Sequence, residues 1–221
     1  MKSQSLVFVL AAGTFLVFFA GAALAEESGG PAYKVAKEYD DFELRKYDSY
    51  LVAEVEVKSD LEGASYKAFR TLFEFIDGNN VRSEEIAMTS PVVQEPSEEG
   101  EKIAMTSPVV QEPSGKEKTY KVGFVMPGKY TLETLPKPAD PKVKIRKVPE
   151  RLVAVRRYSG TWSESNYREN EKALLEAIKE AGLETAGDPV WARYDPPWSL
   201  WFNRRNEVMV EVKDTDLGAL R

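Results

Sequence analysis

The chain has 221 residues, with 30 basic against 36 acidic side chains and neither a cysteine nor a histidine. The acidic balance argues against nucleic acid as a main partner. The missing residue types exclude disulfides, a structural zinc site, the commonest general base and the commonest ligands of haem iron.

The first 25 residues read as a targeting signal. Lys2 makes a short basic start, Leu6 to Ala25 is apolar or small throughout, and Ala23-Leu24-Ala25 forms a small-x-small site ahead of Glu26-Glu27. Cleavage there leaves 196 residues with a net charge of −7, exported to the periplasm or secreted. An uncleaved membrane anchor is the alternative, because about 20 apolar residues also span a bilayer. Residues 26–32 read as a flexible lead-in and 33–221 as a single domain, with halves of about 33–128 and 141–215 and a Pro-rich connection over 129–141.

The halves are related. Phe42 to Ala53 aligns without gaps on Val143 to Ala154 at a spacing of 101 residues, with Arg-Lys and Leu-Val-Ala identical. Each segment predicts a strand, a tight turn and a second strand. A helix follows in each half, over about Leu61–Asp77 and Ser163–Ala181. Ser59-x-x-Glu62 and Thr161-x-x-Glu164 read as capping boxes, and Gly78 and Gly182 stand where a left-handed C-terminal cap is preferred. The first helix carries a wide apolar arc of Ala68, Phe69, Leu72, Phe73, Phe75 and Ile76. The second carries a stripe of Tyr167, Leu174, Ile178 and Ala181, widened by Leu175.

Between the first helix and the next strand, twelve residues occur twice. Ile86 to Ser97 returns unchanged as Ile103 to Ser114, five residues later. Each copy alternates as a strand does, and Pro91 and Pro108 lack a ladder donor and so suit an edge or a strand end. The pair reads as a hairpin extending the first-half sheet. Further strands are expected over Thr119–Met126, Val190–Tyr194 and Asn206–Val212. The expected fold is α+β: two pseudo-symmetric β-β-α-β-β repeats forming a distorted antiparallel β-barrel, with two helices packed against it and a ligand cleft between helix and sheet.

A second cluster runs from Tyr194 to Glu207. Trp198, Trp201 and Phe202 cannot all hide in so short a loop, and they stand beside Arg204 and Arg205. Exposed aromatics beside arginine suit a flat apolar ligand carrying acid groups; the alternative is a loop folded back to plug the barrel end.

The chain resembles the SOUL haem-binding protein family. The landmarks are Tyr39 to Tyr47, Phe75 to Asn79, the Met-Thr-x-Pro-Val core of the repeat, Gly123 to Pro127, Arg157 to Gly160, Tyr194 to Pro197 and Arg204 to Val208. They come in family order from about Tyr33 onward. Spacing from Gly78 favours the first copy of the repeat as the family's motif, and spacing to Gly123 favours the second. The resemblance implies two-repeat barrel topology and non-covalent binding of haem or another tetrapyrrole in an apolar cleft beside the first helix. Phe69 and Phe73 fall at cleft-facing helix positions, Tyr66 continues their flank, and Lys67 and Arg70 are near enough to meet carboxylates. Trp198, Arg204 and Arg205 complete the candidate set. With His and Cys absent, Tyr and Met remain as iron ligands, and apolar contact plus salt bridges to propionates is the expected mode. Core roles for the aromatics and solvated roles for Lys67 and Arg70 are the plain alternative.

No Ser-His-Asp or Cys-His arrangement and no phosphate loop is present, so no catalytic residue and no metal ligand is assigned. A second reading is an effector-binding or hydrolase-type barrel using a buried carboxylate, with Glu207 as the candidate base. A third is a protein-interaction module that adds its hairpin to a partner sheet.

Overall fold

The computed structural model describes residues 30–81 and 100–213. The leader and the first copy of the repeat lie outside the described residues, and so do the anchor alternative and the hairpin pairing of the two copies. In chain order the elements are β1 (Tyr33–Glu38), β2 (Glu43–Tyr47), β3 (Tyr50–Lys58) and helix α1 (Leu61–Ile76), followed by β4 (Asn80–Val81), β5 (Val109–Pro113) and β6 (Thr119–Val125). Then come β7 (Lys137–Pro138), β8 (Lys144–Val148), β9 (Arg151–Tyr158), α2 (Glu164–Glu180), β10 (Val190–Arg193) and β11 (Asn206–Glu211).

Nine strands form one antiparallel sheet in the order β1-β2-β9-β11-β10-β5-β6-β3-β8. Leaving out β1, this order is unchanged when β2, β3, β5 and β6 are exchanged with β8, β9, β10 and β11. The register follows the same exchange. Leu44 pairs with Ala154 on β2–β9, and Ile145 pairs with Ala53 on β8–β3, the same pair displaced by the 101-residue spacing. β5 and β10 meet at the centre, with Val110 opposite Ala192.

The sheet has two buried faces. α1 covers β3 and β6 with Ala64, Ala68, Leu72 and Phe75, against Ala53, Val55, Val122 and Phe124. α2 covers β9 and β11 with Tyr167, Leu174 and Ile178, against Leu152, Ala154, Val208 and Val210. The opposite face, with Val52, Val125, Val153, Val155 and Met209, is buried although neither helix lies on it. A sheet face without a second layer is buried only by curling on itself, as twisted antiparallel strands do. Gly123 lies on this inner face, where a Cβ would meet Val52 Cγ1 at 2.4 Å. The result is a half-barrel whose edges, β1 and β8, do not pair, so the expected barrel is open rather than closed.

Several expectations change. The caps are not the two predicted boxes: Asp60 Oδ1 accepts from Gly63 N at 2.7 Å, and Ser163 Oγ accepts from Asn166 N at 3.4 Å. Each capping residue stands one or two positions nearer its helix than predicted. Both Gly78 and Gly182 take positive φ, 116° and 72°, as the C-terminal caps require. Leu175 is exposed rather than part of the α2 core stripe. β1 was not predicted, since its residues after Tyr33 are exposed and leave no apolar alternation. Within the connection, Lys137–Pro138 pairs with Asn80–Val81 in a two-stranded sheet.

The second copy of the repeat supplies the strand between β6 and β10. Ile103 N donates to Ile76 O at 2.7 Å, anchoring the segment to the end of α1, and Val110 and Gln111 are buried. Pro108, after a cis peptide bond, precedes the strand, and Pro113 ends it. This copy is therefore an interior strand rather than an edge extension.

Candidate functional site

The site is built on the helix-bearing face, where the two halves join. Strand register lays one row of side chains across that face: Phe124 of β6, Val109 of β5, Arg193 of β10, Asn206 of β11 and Tyr158 of β9. One step along, Gln111 pairs with Trp191. α1 roofs the Phe124 end and α2 approaches the other. At the N-terminal ends the helices are tied together, with Glu62 Oε1 accepting from Glu164 N at 2.9 Å. Gln111 braces the same end: Nε2 donates to Leu61 O and Oε1 accepts from Ser65 Oγ, both at 2.8 Å.

The wall on α1 is aromatic. Tyr66, Phe69 and Phe73 lie three and four residues apart and so share one flank. They are 63 %, 41 % and 42 % exposed, against complete burial of Ala68 and Leu72 on the core side. Phe69 stacks on Phe73 at 5.9 Å and meets Phe124 edge-on at 5.5 Å, so the exposed flank continues into the floor. Met105 stands exposed on the segment between the end of α1 and the end of β10, which is held by a hydrogen bond from Thr106 to Val125 O and by Ser107 Oγ donating to Tyr194 O at 3.3 Å.

A second exposed aromatic cluster is the loop after β10. Trp198, Leu200, Trp201 and Phe202 are all more than half exposed, so the loop does not fold back as a plug. Gly160 N donates to Trp201 O at 3.0 Å, which docks the loop on the connection between β9 and α2, and Trp162 Nε1 of that connection donates to Asn206 Oδ1 of β11 at 2.9 Å.

The predicted basic residues have other partners. Lys67 Nζ donates to Lys58 O at 3.2 Å, and Arg70 Nε donates to Glu74 at 2.8 Å. Arg204 holds the loop: Nη2 donates to Pro197 O at 2.7 Å, Nε to Ser199 O at 3.0 Å, and its guanidinium lies 4.3 Å over Trp162. Arg205 turns to the inner face, where it donates to Glu207 Oε1 at 2.8 Å.

Glu207 itself is fully buried on that inner face, away from the cleft. Its two oxygens accept from Arg45 Nη1 at 3.2 Å, from Arg205 and from Tyr194 Oη at 2.7 Å. Arg45 also donates to Glu43 and Tyr47. Burial opposes the charge on Arg45, yet Glu207 and then Tyr47 hold its pKa above the usual range. Burial, then Glu207, raises the phenols of Tyr47 and Tyr194. A carboxylate saturated by two guanidiniums and a phenol has no free lone pair at an open site for base chemistry. Three of the landmarks that carry the family resemblance thus meet in a structural network.

Sequence reasoning missed Arg193 and Trp162 and read Tyr167 only as part of the second helix's apolar stripe; the three meet between the helices. Arg193 lies 4.9 Å over Trp162 and 5.3 Å over Tyr167. Burial pushes the Tyr167 phenol up to about 12, against the opposing pull of Arg193. An arginine at an alternating strand position was the available signal, but alternation does not tell which face is covered. A separate cleft of about 530 Å³ lies at the far end of β3, lined by Tyr50, Leu51, Met126, Tyr130 and Leu132 among others.

Comparison with known proteins places this geometry. The family model described as "SOUL heme-binding protein" matches residues 29–211. The chain belongs to the SOUL family. Among solved structures, the C-terminal domain of EcmrR superposes with a TM-score of 0.53 at 10 % identity, over 82 % of this chain and 98 % of that one. A hydrolase from Listeria innocua superposes with a TM-score of 0.53 at 12 % identity, over 80 % and 94 %. These likenesses establish the fold of the SOUL chain and nothing of its chemistry. No curated protein sequence matches it.

Proposed function

We propose that this SOUL protein is an exported carrier or sensor of a tetrapyrrole, held non-covalently in the cleft between the α1 aromatic flank and the Trp198–Phe202 loop. The observation that carries the reading is the exposed, mutually stacked Phe69–Phe73 pair resting on Phe124 at the foot of the cleft. Large aromatics are left half-exposed at a cost unless a flat apolar partner covers them. Covering one face of a macrocycle there contributes several kcal/mol at about 25 cal/mol per Å².

The donor set fits the macrocycle rather than a histidine- or cysteine-ligated iron. Those residues are absent from the whole chain, and among the described residues no group of three or more carboxylates could hold a metal ion. Tyr66 on the aromatic flank and Met105 on the segment after α1 are exposed oxygen and sulfur donors. A bound haem would supply redox-active iron or simply be carried; the chain's own residues cover its faces and meet its acids. Export is supported by the basic start, apolar run and small-x-small site of residues 1–25, and N-terminal sequencing of the protein from its producing cell tests it. Duplication of one β-β-α-β-β unit is supported by the 101-residue displacement of register between β2–β9 and β8–β3.

Titration of the mature protein with hemin is expected to give a saturable Soret shift, weakened at least tenfold by Phe73→Asp while the urea midpoint stays near wild type. Non-saturating change, or wild-type affinity in the variant, rules the site out.

A further inference from the structure

Arg193 is 7 % exposed, yet among the described residues it forms no ion pair with a carboxylate. Its Nη2 donates to Gln111 Oε1 at a long 3.4 Å, and its Nε is buried without a partner. The faces of Trp162 and Tyr167 compensate the charge in part. Around it the hydroxyl of Tyr158 and the indole Nε1 of Trp191 are also buried without a hydrogen bond, and the buried Tyr167 hydroxyl has the guanidinium as its one neighbour to pair with. Trp191 and Tyr167 lie 6.1 Å apart, centroid to centroid, and Tyr158 stands in the same cross-strand row as Arg193. The guanidinium and indole nitrogens can only donate, and the two phenols, kept protonated by burial, can donate as well.

Unpaired buried donors around a buried cation are costly unless an acceptor of opposite charge completes them. The contrast within the molecule is direct: Arg45, equally buried, has Glu207 and Glu43. Arg193 sits two strand spacings from Phe124, about 10 Å at 4.8 Å per strand. A flat ligand lying on Phe69 and Phe73 therefore reaches it with an edge substituent.

We propose that Arg193 is the carboxylate anchor of the cleft, with Tyr158, Tyr167 and Trp191 as supporting donors, so that the site selects flat apolar acids over their neutral or cationic analogues. This rests on the cleft assigned above, but not on the ligand being a tetrapyrrole.

The test compares acid with neutral analogue in two ligand classes: protoporphyrin IX against its dimethyl ester, and 2-naphthoate against 2-naphthamide. Binding is read by fluorescence and calorimetry on the wild-type protein and on Arg193→Met. Each acid should bind wild type roughly tenfold or more tightly than its analogue, the worth of one charge-assisted hydrogen bond. Arg193→Met should bring the acid down to the analogue's affinity and leave the analogue unchanged. Its urea midpoint without ligand should fall little, because the lost charge had no carboxylate partner. Equal binding of acid and analogue to wild type, which needs no variant, overturns the proposal, and so does an acid preference that survives in Arg193→Met. Naphthoate selectivity without porphyrin binding sinks the tetrapyrrole reading and leaves the anchor standing. Porphyrin binding without acid preference does the reverse, and failure of both pairs sinks both.

Discussion

Glu207 shows at the level of one residue why a buried carboxylate is not by itself a catalytic group. It faces Arg45, Arg205 and Tyr194 in the half-barrel interior, and its charge is consumed there. Glu207→Gln keeps the shape and removes the charge opposite two guanidiniums. The variant is expected to lose about 3–5 kcal/mol of stability, as when one partner of a buried pair is removed, while hemin binding per folded molecule is unchanged because Glu207 points away from the cleft. Urea unfolding and a hemin titration on the same sample check both halves, and an unaltered midpoint contradicts the network's role. In the sequence, Arg45 and Glu207 are 162 residues apart; Arg45 appears there only as a member of a motif, and Glu207 as a candidate base. Their partnership is set by β2 and β11 lying on either side of β9 with matching faces.

At the scale of elements, β5 decides how the repeat is understood. As a terminal hairpin it would be dispensable; between β6 and β10 it joins the two halves of the sheet. Deleting residues 98–114 is therefore expected to abolish the cooperative urea transition and the near-ultraviolet dichroism. A folded deletion protein that merely loses a partner would return the repeat to an accessory role. The helices were legible because apolar spacing and the glycines beyond their ends are local signals. Their caps were less so: Ser59, Asp60, Thr161 and Ser163 are all competent cap residues, and which one lies at the break of helical geometry is settled by how the preceding strand delivers the chain. The flank of Tyr66, Phe69 and Phe73 was visible as part of a wide apolar arc. Its division into core and exposed sides depends on where β3 and β6 meet the helix.

For the whole molecule, burial of both sheet faces has a consequence at alkaline pH. Burial raises the phenols of six of the ten tyrosines, Tyr120 and Tyr130 and, furthest, Tyr47, Tyr158, Tyr167 and Tyr194. Each keeps its proton in the folded chain at a pH where the unfolded chain, with ordinary values near 10, has lost it. Their contribution to stability is thus complete below about pH 10 and declines as pH rises from there toward the folded values. Absorbance at 295 nm should show at least four tyrosines ionising only together with loss of circular dichroism. Ten phenols titrating smoothly near pH 10 in a folded protein would contradict the buried placement.

Local pattern in the sequence sufficed for the two helices, most strands and the family, because periodicity, turn residues and motif order are written along the chain. It sufficed also for the exposed aromatics, since a loop of that length has nowhere to bury three of them. Which copy of the repeat enters the described sheet, which face receives Glu207, and that Arg193 lies unpaired between the helices were decided by tertiary structure. Those outcomes depend on register and on which of two alternating faces each layer covers, and strand alternation carries no mark of which face lies under a helix and which curls inward.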